Sequence, residues 1–158
     1  MLGEGNDIIS IDDLLASFNN IIGRKGLKHI FRGEINSTGI ASGVHHISAI
    51  NAGTARIVNG SIELMTDGFY KAIVEILDNN GNWILKTSDK STFFPDTWSE
   101  TKVMEEIQSA ANNRIGRFVE DTPSYQKYFG ASTNGYRIYI VRTPRYNNNI
   151  FTAWFEPL

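Results

Sequence analysis

Two stretches of this chain repeat apolar residues at the period of an amphipathic helix, and the long tract between them does not, which limits the architectures open to it. Ser10 with Asp12 and Asp13 has the form of a helix N-terminus, and Ile11, Leu14, Leu15, Phe18, Ile21 and Ile22 recur at i, i+3, i+4 and i+7, so a helix is expected over residues 11–22. Thr97 with Glu100 forms a capping-box pattern, and Val103, Met104, Ile107, Ala110 and Ala111 supply one apolar face, which predicts a second long helix over about 98–113. In between, Gly23, Gly26, Gly33, Gly39 and Gly43 break residues 23–43 into short elements joined by turns. From Val44 to Leu85, short runs rich in Ile and Val alternate with turn signals at Asn51 to Gly53, Asn59-Gly60, Asp67-Gly68 and Asn79-Asn80-Gly81, the pattern of antiparallel strands. Tyr136 to Thr143 and Ile150 to Phe155 then alternate on either side of turn residues at Pro144 to Asn149, forming a terminal hairpin. No strand–helix–strand unit repeats. The class is α+β, with an N-terminal helix, antiparallel sheets, one further long helix and a C-terminal hairpin.

A chain of 158 residues, 41% hydrophobic and 20% charged, fits one globular domain spanning residues 1–158 and can bury a sizeable core. The lack of cysteine removes disulfides and thiolate zinc sites, and no apolar run approaches the roughly 20 residues that span a bilayer, so membrane insertion is not expected. Met1 to Gly5 reads as a start in mid-sequence, with any export signal lying elsewhere. A net charge of -2 argues mildly against nucleic-acid binding, but the charge is segregated. Arg24, Lys25, Lys28, Arg32 and Arg56 face a single acid, Glu34, between residues 20 and 60, while Glu4, Asp7, Asp12 and Asp13 crowd the N-terminus.

The chain has three histidines, His29, His45 and His46, in glycine-bounded surroundings close to the basic cluster. If His45 and His46 lie on a strand they point to opposite faces, so one of them at most shares a site with His29. A metal reading needs three or four ligands and finds one nearby acid, Glu34. Two imidazoles beside lysines and arginines suit attack of an RNA 2′-hydroxyl on its own phosphate, which needs one base, one acid and a cation for the charge that builds on the phosphorane. In the last strand, alternation puts Thr152 and Trp154 on one face, free to line a groove, and Phe151, Ala153 and Phe155 on the core face.

These residues match a known pattern. Leu27-Lys28-His29-Ile30-Phe31-Arg32-Gly33-Glu34 resembles the first histidine motif of EndoU ribonucleases, and Ser42-Gly43-Val44-His45-His46-Ile47 resembles the second, a Gly-x-His turn sixteen residues later. Phe151-Thr152-Ala153-Trp154 resembles the closing Thr-x-Tyr motif, with tryptophan in place of tyrosine. The resemblance implies a fold like that of ribonuclease A, of the barnase-EndoU-colicin-RelE type. It implies an endoribonuclease that needs no metal for bond breaking and no cofactor, and that leaves 2′,3′-cyclic phosphate and 5′-hydroxyl ends. His29 and His45 would be its acid and base, in an order left open. The family's catalytic lysine precedes a Ser-x-Phe segment, which matches Lys86 ahead of Ser91-Thr92-Phe93, with Lys71 and Lys90 as alternatives. Substrate contacts would come from Thr152, Trp154, His46, Lys28 and Arg32. The form of the chain is most similar to bacterial EndoU domains at the C-termini of contact-dependent or secreted toxins. That similarity implies RNA or tRNA as target, action in a neighbouring cell's cytoplasm after delivery by a larger toxin, and a cognate immunity protein. A metal-dependent nuclease and a non-enzymatic RNA-binding module are the competing readings.

Overall fold

A computed structural model describes residues 9–147 and 149–157. The expected crowding of acids at the N-terminus falls partly outside them, at Glu4 and Asp7, as does the start at Met1 to Gly5. Among the described residues the class is α+β as expected, with four α-helices and antiparallel sheets. Helix α1 is Ile11–Phe18, with Ser10 accepting from the Asp13 amide, and α2 is Arg24–Phe31. Short strands β1 (Glu34–Ile35) and β2 (Ala41–Ser42) pair, and α3 (Ser48–Asn51) follows. Strands β3 (Ala55–Ile57), β4 (Glu63–Leu64), β5 (Tyr70–Ala72), β6 (Val74–Leu77), β7 (Trp83–Leu85) and β8 (Ser91–Phe93) form two small sheets ordered β3-β6-β7 and β4-β5-β8. Helix α4 (Glu100–Ala111) leads into β9 (Arg114–Asp121), β10 (Gln126–Ala131), β11 (Arg137–Thr143) and β12 (Asn149–Phe155). These last four make one antiparallel sheet, so the expected hairpin is half of a larger unit.

Three differences from the sequence expectations have physical causes. The first helix stops at Phe18, because Ile21 and Ile22 leave it to bond with β12: the Ile150 amide donates to the Ile21 carbonyl at 2.7 Å and Ile22 makes a parallel bridge to Ile150. The long helix is capped by Ser99, which accepts from the Lys102 amide, rather than by Thr97. Residues 24–31 are a helix despite Gly26, whose missing side chain lets the helix lie on β12; a Cβ there would sit 2.4 Å from the Ile150 carbonyl oxygen.

Two apolar clusters hold the fold. One packs α1, α2 and α4 on the four-stranded sheet through Leu14, Ile22, Leu27, Ile30, Met104, Ile107, Ile138 and Ala153. The other sits among the small sheets around Val44, Tyr70, Val74, Ile76 and Phe93. A cleft opens along their seam. No helix of the described residues is long and apolar enough to cross a membrane.

Candidate active site

The seam is stitched by a tight turn. Gly43 takes φ +91° and Val44 takes φ +72°, the second a costly value for a β-branched residue. The turn is held because the Val44 amide donates to the His29 carbonyl at 2.8 Å and the His45 amide to the Ile30 carbonyl at 2.8 Å. A Cβ at position 43 would lie 2.3 Å from the His29 carbonyl oxygen, so glycine is required there twice over. The turn therefore fixes His45 against the end of α2, where His29 stands, and brings the two rings to a centroid separation of 5.8 Å.

Each ring is oriented by a different partner. His45 is 5% exposed, and its Nδ1 lies 2.8 Å from the Thr92 carbonyl on β8. A carbonyl can only accept, so Nδ1 carries the proton and Nε2 presents a lone pair. Burial, then the nearby Lys86 and His29 charges, push its pKa well below that of an ordinary histidine. His29 Nδ1 lies 2.6 Å from a Glu34 carboxylate oxygen, which also accepts from Ser42 Oγ at 3.2 Å. Burial raises the Glu34 pKa, but the His29 hydrogen bond and charge and the Ser42 hydroxyl outweigh it and hold it below the usual value. Glu34 is thus ionised, accepts a hydrogen bond from the His29 Nδ1–H, and supplies a negative charge beside the ring.

The third group is Lys86, just past β7. Its Nζ reaches two neutral oxygens, Ser91 Oγ at 2.8 Å and the Gly43 carbonyl at 3.2 Å. Burial pulls its pKa from 10.5 down to about 8, against a weaker opposing pull from Asp89. Lys71 and Lys90 line the same cleft, but Lys90 donates to the Ser61 carbonyl and pairs with Glu63 at 3.5 Å.

The remaining wall is β12. Trp154 lies nearly parallel to the His45 ring at 5.8 Å, and Thr152 beside it has a buried Oγ1 without a hydrogen-bond partner among the described residues. The register slips at Phe151: Val141 faces Thr152 while Arg142 faces Ile150, so Phe151 is an extra, bulged residue. This corrects the expectation that Phe151 joins the core. Ile150 takes the core position, and Phe151 turns its ring to within 4.9 Å of the His29 ring.

His29, His45, Lys86, Thr152 and Trp154 thus line one cleft of about 400 Å³. The structure does not bring His46, Lys28 or Arg32 into it. His46 sits on a bend, not a strand, and its Nε2 lies 2.7 Å from the Trp98 carbonyl, with the ring edge-on to Phe31. Lys28 precedes His29 on α2, and adjacent helix positions point about 100° apart, so it opens onto neighbouring hollows. Arg32 is turned inward to the Ile9 and Phe31 carbonyls. The roles of Glu34 and Ser91 were not anticipated, although both stand inside the motif strings. Among the described residues, no three His, Asp or Glu side chains gather as an ion would need.

Comparison with known proteins bears on this geometry. A protein from Bacillus cereus named "Toxin" is 38% identical over 115 residues, which cover 71% of this chain and 19% of that protein. The chain therefore spans about a fifth of the length of the relative it matches. No solved structure matches it. The family model described as bacterial EndoU nuclease matches residues 23–157, a span that begins beside α2 and takes in His29, the turn that carries His45, Lys86 and β12. The chain belongs to the bacterial EndoU nuclease family.

Proposed function

We propose that this domain is an endoribonuclease with a ribonuclease A-like scaffold, and that it cleaves RNA without a metal by internal transphosphorylation. The observation that carries the reading is a pair of imidazoles 5.8 Å apart and tilted by 39°, one held at Nδ1 by a carbonyl and the other by a carboxylate. His45 Nε2 takes the proton of the 2′-hydroxyl, whose oxygen attacks the adjacent phosphorus. His29 Nε2 delivers a proton to the 5′-oxygen as the phosphorus–oxygen bond breaks, leaving a 2′,3′-cyclic phosphate and a 5′-hydroxyl. Lys86 stabilises the charge on the nonbridging oxygens. Trp154 stacks on the base 5′ of the cut, and the Thr152 hydroxyl supplies a polar contact.

The toxin name of the Bacillus cereus relative supports a further reading: the domain is the cargo of a larger secreted toxin, acts on RNA, tRNA among its candidates, in a recipient's cytoplasm, and is blocked by a cognate immunity protein. The test is end-group analysis of RNA digested in EDTA by the wild type and by His29→Ala and His45→Ala. Cyclic phosphate ends from the wild type, little cleavage by either variant and survival of an all-deoxy strand are expected. Loss of activity in EDTA with rescue by a divalent ion would overturn the metal-free chemistry.

A further inference from the structure

The cleft continues past His29. Its Ser42 wall is shared with a second hollow of about 750 Å³, floored by Phe151 and rimmed by Arg24, Lys25 and Lys28. Arg24, Lys25 and Phe151 are shared in turn with a third hollow of about 430 Å³, whose far side is Tyr125 and Tyr146. A track of cations ending in two tyrosines thus runs away from the chemistry on the His29 side. Tyr146 is 62% exposed and Tyr125 40%, so both keep ring surface open to solvent. Arg24 pairs with Asp12, but both are more than half exposed, so the pair yields readily to a phosphate. Glu34, the carboxylate on this wall, is turned to His29 and Ser42.

The proton inventory gives the track a direction. This step rests on the ribonuclease reading above, in which His29 protonates the leaving 5′-oxygen. The nucleotide carrying that oxygen, and everything 3′ of it, must then leave the site on the side of His29, while the nucleotide that supplies the 2′-hydroxyl stays beside His45 and Trp154. We propose that the track from Phe151 through Arg24 and Lys25 to Tyr125 and Tyr146 binds the single-stranded RNA segment 3′ of the cut. The cations hold its phosphates and the tyrosines stack its bases. The bulge at Phe151 is what opens this route, since a regular strand would send that ring into the core.

The test uses deoxyoligonucleotides with a single ribose, which fixes where cutting can occur, each base being tried at that position. A short core probe is compared with probes extended on the 3′ side or the 5′ side, with kcat/KM as the readout. The 3′ extension should raise kcat/KM about tenfold at low salt, in line with stacking of one base, and more than the 5′ extension does. In Arg24→Ala/Lys25→Ala the ratio of 3′-extended to core probe should fall to about one, and the slope of log kcat/KM against log salt should shrink by about 1.4 for two lost phosphate contacts. Tyr146→Ala should lower the ratio several-fold, while Arg117→Ala, on exposed β9, should not change it. Cleavage of all probes with no 3′ preference, or a ratio unaffected by the Arg24/Lys25 variant, overturns the assignment and leaves the ribonuclease reading standing. Failure to cut any probe overturns both.

Discussion

Replacing Lys86 with methionine should stabilise the protein near neutral pH while abolishing its function. The ammonium is held largely out of water, and its pKa drops from 10.5 to about 8 in the folded state. At about 1.36 kcal/mol per unit, that difference corresponds to about 3 kcal/mol of strain against the charged form. Because the folded pKa lies below the unfolded one, the cost is fully present below pH 8. It is relieved as pH rises toward 10.5, where the folded protein has released its proton and the unfolded chain still holds it. Two neutral hydrogen bonds, to Gly43 and Ser91, offset some of the cost, at about 1 kcal/mol each. Methionine would not orphan the Gly43 carbonyl, which still accepts from Ser91 Oγ at 3.0 Å. A net gain of about 1 kcal/mol at pH 7 is expected. Between pH 7 and pH 9 the wild type should recover about 1.3 kcal/mol relative to the variant. Urea unfolding followed by tryptophan fluorescence, run on both proteins at both pH values, measures this difference of differences. A stability gap that does not change with pH would refute the claim that the ammonium is desolvated, and an active Lys86→Met would refute its role in charge stabilisation.

Three other substitutions separate the groups around the cleft. Glu34→Gln keeps the shape but removes the charge that balances His29, so kcat should fall roughly tenfold or more with little change in KM, as steady-state kinetics would read. His46→Ala should cost about 1–3 kcal/mol in urea unfolding, because the Trp98 carbonyl loses its partner, yet leave kcat near the wild-type value at a temperature where the variant is folded. Thr152→Val removes a buried hydroxyl that has no partner among the described residues, so stability should hold or rise slightly while binding of an uncleavable deoxy-substituted strand weakens; a loss of stability would show that the hydroxyl is satisfied before RNA arrives.

What could be read from the sequence divides along a physical line. Periodicity reported α4 and the last two strands, since each buries one face against one core. It misreported Ile21 and Ile22 because Ile22 is buried in the same cluster as α1 and Ile21 packs against it: a residue bonding to β12 and a residue on a helix face are equally apolar. Helix α2 was hidden by Gly23, Gly26 and its basic residues, and it is specified by close approach to Ile150 rather than by propensity. Strand β9 is mostly exposed and so had no alternation to display. At the site, the motif strings supplied the two histidines, Lys86 and the β12 pair. Lys28 and Arg32 are near His29 along the chain but open elsewhere: the helix turns Lys28 about 100° away onto the neighbouring hollow, and Arg32, at the helix end, is held inward by the Ile9 and Phe31 carbonyls. The bulge at Phe151 left no mark, because phenylalanine suits a core position and a ring-stacking position equally well.

The same division explains how a chain with a net charge of -2 can offer a phosphate a favourable place to sit. Screening limits an exposed charge to about 10 Å at ordinary ionic strength, so distant acids count for little in the cleft. What counts is whether a nearby cation is already neutralised. Lys90 has Glu63, a pair near solvent. Lys86 instead rests on a carbonyl and a hydroxyl, which solvate an ammonium without cancelling its charge. His45 on one side carries no compensating anion, and its lowered pKa keeps it neutral near pH 7. A phosphate entering between the histidines supplies the missing negative charge, raises the proton affinity of Lys86, and relieves the strain that methionine would relieve by deletion. On the proposed reading, the instability at Lys86 and its use in catalysis are thus one electrostatic fact, met first without the substrate and then with it.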